Sequence, residues 1–406
     1  MSTATIPVIL YLFLAPLNAQ NSYLTPWRKG YLDIHFISTG RGNASFILMP
    51  DGTTMLIDAG DLNQDSERLT PRVPDSSKTP GQWIADYIQQ FHPRKKQAGL
   101  DYVLITHYHD DHIGTFLPLS ETNGGGGYKL SGITEVGSIV PINKLIDSGD
   151  DFRPMVEKDD SFFVNQIKEY RNFILIQEKT EGLLYEKFKV GSFSQIRLKN
   201  DPEAFPEFVV KNLFSNGVIA AVADSSIAIR KFKAGDRPPE NDLSSGIRIS
   251  YGPFDFYTGG DIPGIGHTGT PDTESLESLA APVIGNVDVA TLNHHGNRNS
   301  QNEFYVRTLQ PRVWIGQSWS IRHPGEEVLR RIMSHHVYPG ERDLFANALH
   351  PVNERYLGEH MVNHYKSTNG HIVVRVYPGG KRYDVFILND LSAERFVKAS
   401  YSYRSK

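Results

Sequence analysis

Hydrophobic and polar positions alternate in short runs over residues 31–60, with turn-forming residues between the runs. This stretch, YLDIHFISTGRGNASFILMPDGTTMLIDAG, predicts three strands, because a glycine-rich turn and an Asp-Gly turn separate its apolar segments. A longer period follows in TPGQWIADYIQQF, residues 79–91, which predicts a helix with Pro80 near its start. The apolar positions on one face of this helix are Trp83, Ile84, Tyr87, Ile88 and Phe91.

Several later apolar runs predict further strands. LDYVLIT, residues 100–106, is mostly apolar, which is typical of a central strand covered on both faces. The stretches 244–261 and 287–297 again have the regular pattern of apolar runs that is typical of α/β proteins. HIVVRVYPGGKRYDVFIL, residues 371–388, predicts a closing hairpin that ends the ordered part. The order strand, strand, strand, helix, strand, with charged motifs at strand ends, favours a layered α/β architecture.

Residues 117–204 have a less regular pattern. We interpret them as an inserted elaboration that contains a glycine run, several polar loops and one helix over residues 160–175. The basic tail YSYRSK, residues 401–406, is short, and we predict that it is solvated.

Composition limits the classes of function. The 406 residues are 39% hydrophobic and 11% aromatic, as expected for a globular protein with a substantial core. Acidic residues outnumber basic ones by 46 to 42, so the chain has no overall positive charge for binding a nucleic-acid backbone. The absence of cysteine excludes disulfides, thiolate metal ligands and a cysteine nucleophile.

The N-terminus, MSTATIPVILYLFLAPLNAQ, has an apolar stretch from Ile6 to Leu14, a break at Pro16 and a small residue at Ala19. This is the order of a signal-peptide hydrophobic region and cleavage site, although no Lys or Arg precedes it, and it is short for a membrane span. We predict that residues 1–19 are a signal peptide and that the protein is exported, to a periplasm or out of the cell. A short membrane anchor or an apolar leader is the alternative.

The stretch THYHDDH, residues 106–112, places five titratable side chains at the end of an apolar strand. Buried imidazoles and carboxylates crowded in this way are unfavourable unless a cation organises them. A divalent metal does so, because neutral imidazole and carboxylate are among its usual ligands. From the spacing, His107 and His109 can face one ion, whereas Asp111 and His112, further round the turn, can face a second.

The H-x-H-x-D-H pattern at 107–112 resembles the signature of the metallo-β-lactamase-fold hydrolases, and further motifs follow in the family's order. MLIDAG resembles the motif in which Asp58 would brace the metal loop. YTGGD places Asp261 where the family has a metal-bridging aspartate, and LNHHG places His294 where it has its final histidine ligand. The resemblance implies an α/β fold of four αββα layers, in which two mixed sheets are sandwiched between helices, with an inserted elaboration.

Within the superfamily, the chain is most similar to the soluble nuclease-like domain of the competence protein ComEC. The matching segments are ISTGRGNA, ENDLSSGIRISYG, TGGD, NHHGN and IRHPGEEVLRRI. Two carboxylates of that branch are replaced here by Ser38 and Asn43, and a serine is replaced by Asn297. The resemblance implies a single hydrolase domain over residues 20–406, with a C-terminal extension and hairpin over residues 365–390.

One histidine of the superfamily pattern is missing. Many members have a third histidine at the first metal site, located between the signature and the bridging aspartate. This chain has no histidine between His112 and His267. His267, in IGHTGT, follows Asp261 instead of preceding it, so we do not expect it to be a ligand.

The resemblance implies two divalent ions, with zinc as the first expectation and manganese as the alternative, joined by Asp261 and a shared hydroxide. We expect the first site to be the weaker and to be only partly occupied, and Asp110 to be solvated or next to the ligands. The expected ligands of site one are His107, His109 and Asp261, and those of site two are Asp111, His112, His294 and Asp261.

Metal-assisted hydrolysis follows from such a site, because a divalent ion makes hydroxide available near neutral pH. The aspartate at 261 and the missing histidine disfavour a β-lactamase, and the motif order favours phosphodiester cleavage. We assign catalytic roles to Asp111 and to His323, which would protonate the leaving oxygen or bind a phosphoryl oxygen. Asn241, with Ser244 or Ser245, would line the pocket or cap strands.

The predicted substrate is therefore a small-molecule or nucleic-acid phosphodiester, and we expect no stable membrane partner. Two alternatives remain open at the level of the sequence. The first is hydrolysis of a small-molecule lactone, ester or amide, and the second is a catalytically inactive metal-binding protein. Since one fold hosts many hydrolytic reactions, the choice depends on the site itself.

Overall fold

The computed structural model describes residues 22–62, 65–95, 99–152, 161–221, 229–233, 236, 238–266 and 270–406. The predicted signal peptide, residues 1–19, and His267 lie outside the described residues. Within the described ranges, no helix is long and apolar enough to cross a membrane.

The first sheet combines antiparallel and parallel strands in the spatial order β18-β17-β16-β1-β2-β3-β4-β5-β6. The three strands predicted over residues 31–60 are confirmed as antiparallel neighbours, and β3 to β6 continue the sheet as parallel strands. Its strands are β1 Leu32–Phe36, β2 Ser45–Leu48, β3 Thr54–Ile57, β4 Tyr102–Leu104, β5 Lys144–Asp147, β6 Leu184–Lys187, β16 His371–Val376, β17 Arg382–Leu388 and β18 Val397–Arg404.

The second sheet has the spatial order β15-β14-β13-β12-β11-β10-β7-β8-β9 and is also mixed. Strands β11 to β15 are parallel, whereas β7 to β10 and the β10–β11 pair are antiparallel. Its strands are β7 Phe208–Ser215, β8 Val218–Ile219, β9 Ile229–Arg230, β10 Gly246–Tyr251, β11 Phe254–Thr258, β12 Val289–Thr291, β13 Val313–Gly316, β14 Asp343–Ala346 and β15 Tyr365–Ser367.

Helices cover the outer faces of both sheets. The helix predicted over residues 79–91 is confirmed as α1, and Thr79 begins it with a capping box, in which Thr79 Oγ1 accepts from Gln82 N and Gln82 Oε1 accepts from Thr79 N. The α-helices are α1 Pro80–Phe91, α2 Asp110–Ile113, α3 Gly132–Ile139, α4 Phe162–Thr180, α5 Leu276–Ile284, α6 Glu303–Leu309, α7 Glu326–Met333, α8 Pro351–Leu357 and α9 Glu359–Val362.

Three apolar clusters separate these layers. One lies between the two sheets and contains Phe36 and Ile249. A second packs α1, α3 and α4 against the first sheet, with Phe173 fully buried, and a third packs α5 to α7 against the second sheet around Trp314. The layers therefore follow the order helix, sheet, sheet, helix, which confirms the predicted four-layer αββα fold.

Two stretches differ from the sequence-based description. Residues 117–204, interpreted as polar loops around one helix, also supply β5 and β6 to the edge of the first sheet. The tail was predicted to follow the last ordered hairpin, which is wrong: residues 401–404 belong to β18, which pairs with β17 over its length. The tail is solvated in part, since Ser402 and Arg404 are exposed whereas Tyr403 is buried. Alternating serine and aromatic side chains in SYSYR are a strand pattern that was overlooked because of the two flanking charges.

Candidate metal centre

The candidate site lies where parallel strands of both sheets end. In the first sheet, β3 is followed by Asp58, and β4 is followed by the THYHDDH loop. In the second sheet, β11 leads to Asp261, and β12 leads to the turn 293–296. This turn contains the adjacent residues His294 and His295, which we call the histidine doublet. Ligand sites of α/β proteins commonly lie at the carboxyl ends of strands. Here each sheet contributes the carboxyl ends of two strands.

Asp58 holds the THYHDDH loop in place. Its Oδ1 accepts a hydrogen bond from Thr106 N at 2.8 Å, and its Oδ2 accepts from Thr106 Oγ1 at 2.9 Å. His112 Nδ1 lies 2.8 Å from the same Oδ2, so it donates there and leaves Nε2 free to bind a metal. The bracing role that the resemblance implied for Asp58 is confirmed by these contacts.

The backbone around Asp111 is enclosed by the first glycine-rich turn. Asn43 N donates to Asp111 O at 2.8 Å, and a Cβ on Gly60 would lie only 1.9 Å from that carbonyl oxygen. Glycine at 60 is therefore required for the THYHDDH loop to lie this close to the segment that follows β3. Ser38, at the other replaced carboxylate position, donates from Oγ to Asp390 Oδ2 at 3.0 Å.

Four buried side chains converge at the centre of the site. His295 Nε2 lies 2.9 Å from Asp111 Oδ2 and 3.2 Å from Asp261 Oδ2. His112 Nε2 lies 3.3 Å from Asp261 Oδ1 and 3.7 Å from Asp111 Oδ2. Ligand atoms from all four residues lie within 4.8 Å of one another. We name this set the four-residue group; its members are Asp111, His112, Asp261 and His295.

The donor atoms of the four-residue group fit a divalent metal. Among the residues described, three buried atoms of this group make no hydrogen bond of good geometry: His112 Nε2, His295 Nε2 and Asp261 Oδ1. Each nevertheless has a close neighbour in the group, since His112 Nε2 lies near Asp261 Oδ1 and His295 Nε2 lies near Asp111 Oδ2. Buried polar atoms are normally hydrogen-bonded, so such orphans need a partner of another kind. Two imidazole nitrogens and two carboxylates are a common donor set for a tetrahedral zinc ion.

A second set of donors lies near Asp261 Oδ2, the oxygen that His295 Nε2 also approaches. His107 Nε2 lies 3.1 Å from His109 Nδ1 and 3.8 Å from Asp261 Oδ2. His294 Nε2 lies 4.0 Å from that same Asp261 oxygen. His294 Nδ1 is 2.8 Å from Asn299 Oδ1 and donates to it, which leaves Nε2 as the acceptor nitrogen that faces the site.

The histidine doublet is carried by an unusual turn. His294 and His295 have φ values of 49° and 55°, and Gly296 follows with a φ of 78°, so three consecutive residues are left-handed. This conformation is uncommon for residues other than glycine, and when it occurs at a site it is held by its surroundings. Here it brings both imidazoles towards Asp261 Oδ2, with His295 Nε2 at 3.2 Å and His294 Nε2 at 4.0 Å.

Glu277 supplies the support for this turn. It is fully buried, and it accepts hydrogen bonds of 2.8 Å from Asn293 Nδ2, Gln301 N and Asn302 N. These three donors flank the histidine doublet on both sides in sequence. Sequence reasoning missed Glu277, because nothing in its helical context distinguishes it from a solvated glutamate.

Burial raises the pKa of Glu277 to about 7, above its ordinary value of 4.5. Between these values the folded protein binds more protons than the unfolded chain, so stability relative to a Glu277→Gln variant is highest below about pH 4.5. This extra free energy of unfolding decreases by roughly 1.4 kcal/mol per pH unit between the two pKa values, and it is lost as the pH rises through about 7. Urea unfolding of both proteins from about pH 5 to pH 8 measures this slope.

The exposed Glu327→Gln variant is the control for that measurement, since it also removes one carboxylate. We expect the difference in unfolding free energy between wild type and Glu327→Gln to be nearly constant with pH. Parallel pH curves for wild type and Glu277→Gln would show that Glu277 is ionised in the folded protein throughout this range.

Opposite charges stabilise one another within the four-residue group. Burial disfavours a charge on Asp111, but the neighbouring His112 and His295 together outweigh burial and hold the pKa of Asp111 well below its usual range. Burial also opposes a charge on His295, yet the carboxylates of Asp261 and Asp111 raise its pKa to about 9. The group therefore balances carboxylates against imidazolium charge near pH 7, and a divalent ion can replace these protons.

A cavity of about 530 Å³ opens onto these groups. His323 forms part of its wall: its ring stacks on His295 at 4.7 Å between centroids, and its Nδ1 has no hydrogen-bond partner among the described residues. Asn241 also lines the cavity, with Nδ2 at 3.3 Å from His294 Nε2. Ser244 instead accepts from Asp261 N at 3.1 Å and supports the turn.

Residues 38–135 match the model of the Metallo-beta-lactamase superfamily. The match includes Asp58 and the whole THYHDDH loop, and the two mixed sheets and outer helices supply the architecture. The chain has the metallo-β-lactamase fold. Comparison with curated proteins finds no match to it.

Solved structures of other proteins are also similar to the chain. Human tRNase Z, short form (ELAC1), is 12% identical with a TM-score of 0.31, over 70% of this chain and 91% of that one. The hydrolase AbOPH in the beta lactamase superfamily is 11% identical with a TM-score of 0.28, over 61% of this chain and 76% of that one.

In this metallo-β-lactamase fold, the predicted residues do not all have the expected neighbours. Asp111, His112 and Asp261 belong to the four-residue group, whereas His294, expected beside them, lies at its edge. His295 takes that place and was missed by sequence reasoning, although the doublet itself was noticed. His107 and His109 are adjacent to each other, and Asp110 lies on the cavity wall.

Proposed function

We propose that the chain is an exported, metal-dependent phosphodiesterase of the nuclease-like kind. The observation that supports this proposal is the position of Asp261, whose carboxylate lies within 4.0 Å of imidazole nitrogens from both sets of donor atoms. A carboxylate shared in this way suits two neighbouring ions. The signal-peptide pattern of residues 1–19 supports export.

The proposed division of ligands differs from the one expected from the sequence. Site two takes the four-residue group, with His295 instead of His294. Site one takes His107 Nε2, His109 Nδ1 and Asp261 Oδ2, and His294 Nε2 supplies the histidine that appeared to be missing. We propose zinc at both sites, with manganese as the alternative, because imidazole and carboxylate donors suit both ions.

Divalent ions held there would lower the pKa of water and polarise a phosphoryl oxygen. The protein's own groups prepare the place for this chemistry. Asp58 fixes the orientation of His112, and Glu277 fixes the turn that presents His294 and His295. His323, which lines the cavity, is proposed to donate a hydrogen bond to a phosphoryl oxygen or to the leaving oxygen.

The charge of the cavity rim supports an anionic substrate. Arg68 and Arg322 both line the cavity and are exposed, and neither has an ion-pair partner among the residues described. A free guanidinium next to a metal site attracts phosphate more strongly than it attracts a neutral lactone or amide. This favours the phosphodiester over the small-molecule ester, lactone or amide.

The test is hydrolysis of bis-p-nitrophenyl phosphate by wild type and by Asp111→Ala, each with zinc or manganese restored. We expect metal-dependent turnover by wild type and a loss of at least roughly 100-fold in Asp111→Ala, because this change leaves the site three protein ligands and an unbalanced charge. His364→Ala, which removes an exposed histidine outside the cavity, is the control and should retain wild-type turnover.

Absence of turnover by a wild-type protein with two bound ions would overturn the phosphodiesterase proposal. Turnover of a lactone or carboxylic ester by the same preparation would then establish the alternative. Bound metal without turnover of any ester would establish the inactive metal-binding protein.

A further inference from the structure

A second cavity adjoins the one above the metal centre. Its volume is about 520 Å³, within the usual range of small-molecule sites, and it shares Asn297, Ile321 and Arg322 with the first cavity. The two cavities are therefore neighbours that share Arg322, and we call them together the cleft. The second cavity is the adjacent space for the part of a substrate that extends beyond the first.

Aromatic and aliphatic side chains line the far part of this cavity. Tyr356, on α8, is 59% exposed, and Val352, one turn earlier, is 48% exposed. Pro324 and Ile321 contribute further apolar surface. An exposed tyrosine ring in a concave surface is a suitable platform for a planar ring, since every nucleobase has a face that stacks on an aromatic side chain.

Polar and cationic groups lie along the same cleft. Asn297 and Asn353 place amide groups beside the apolar surface, and Arg298 lies 3.7 Å from Glu327. Arg322 has no such carboxylate partner within the described part of the chain. The loop that contains Arg322 is hydrogen-bonded to the loop that contains Arg68, because Ile321 N donates to Arg68 O at 2.8 Å. Arg322 is thus a free guanidinium shared by the two cavities, and Arg68 places a second one on the wall of the first cavity.

We propose that the second cavity binds the nucleoside next to the scissile bond, with its base on Tyr356 and its outer phosphate at Arg322. This inference rests on the proposed phosphodiesterase function and names the substrate class as a single-stranded polynucleotide. An acyl chain would use the apolar surface but leave the guanidinium of Arg322 without a partner. A nucleotide uses both, with its base on the apolar surface and a phosphate at Arg322.

The experiment compares two chromogenic substrates of the metal-loaded protein. Bis-p-nitrophenyl phosphate has no base, whereas thymidine 5′-(p-nitrophenyl phosphate) does. We expect Tyr356→Ala to lower kcat/KM for the nucleotide ester, relative to bis-p-nitrophenyl phosphate, by roughly fivefold or more, mainly through KM. Tyr356→Phe keeps the ring and should restore the wild-type ratio.

The charge at Arg322 is tested with an oligothymidylate as the substrate. Arg322→Ala should reduce the slope of log KM against log salt concentration by roughly 0.7, the value for one phosphate contact on a single strand. Arg355→Ala removes an exposed arginine of α8 that does not line the cleft, and it should leave the slope unchanged.

An unchanged substrate ratio in Tyr356→Ala, with normal turnover of bis-p-nitrophenyl phosphate, would overturn the nucleoside site and leave the phosphodiesterase proposal intact. A KM effect of Tyr356→Ala on a long-chain acyl lactone, but not on the nucleotide ester, would assign the cavity to an acyl chain. If wild type cleaves neither phosphodiester, both proposals are overturned.

Discussion

Replacing His295 with alanine is expected to remove one of two bound ions, and replacing His294 is expected to remove the other. The reason is geometric: His295 Nε2 contacts Asp111 and Asp261 in the four-residue group, whereas His294 Nε2 faces Asp261 Oδ2 from the side of His107. Each change leaves one set of donors intact. Metal analysis after dialysis against zinc, together with the visible spectrum of the cobalt-substituted protein, measures the result.

The double variant gives the sharpest test. If the two histidines bind different ions, the double variant His294→Ala/His295→Ala should lose both metals. If both histidines bind the same ion, the double variant should keep one metal, as each single variant does. His364→Ala should retain two ions. Two ions retained by His294→Ala would contradict the proposed site one and leave His107 and His109 without a third histidine.

Asp261→Asn is expected to lower kcat/KM on bis-p-nitrophenyl phosphate by at least about 1,000-fold. Removing a single stabilising donor of the transition state often costs roughly 10²–10³-fold, and the Asp261 carboxylate serves both sets of donors. The asparagine also removes a charge that balances His112 and His295. Steady-state kinetics and metal content should therefore fall together in this variant.

Asp61→Asn is a matched control, because Asp61 is also a buried aspartate close to the THYHDDH loop. Its Oδ2 accepts from Ser131 Oγ at 3.1 Å, and burial raises its pKa, whereas His295 and His112 hold the pKa of Asp261 well below its usual range in spite of burial. Loss of the negative charge therefore costs less at Asp61 than at Asp261. We expect both ions and most of the activity to remain. A small effect of Asp261→Asn, similar to that of Asp61→Asn, would show that Asp261 is not a shared ligand.

The architecture and the position of the site could be predicted from sequence because both depend on local patterns. Alternation and helical spacing identified β1 to β4 and α1, and the crowding of ionisable groups after β4 required a cation. The braced Asp58 followed from the resemblance. These features depend on residues that are close together in the chain or on motifs in a fixed order.

The identity of the innermost histidine could not be predicted in this way. His294 and His295 are adjacent and chemically identical, and which one faces Asp111 depends on three successive left-handed residues. Spacing rules assume ordinary backbone conformations, so they do not resolve such a turn. Glu277 was missed for a related reason, since its importance depends on donors from residues 293–302 that come together only in the folded chain.

The doublet has a further consequence for the relation between the two proposed ions. One peptide unit joins a proposed ligand of site one to a proposed ligand of site two, and its Cα atoms are held about 3.8 Å apart by covalent geometry. A displacement of this turn therefore moves a ligand of each proposed ion at the same time. Loss of the support from Glu277 is accordingly expected to disturb both sites together, although Glu277 lies in neither.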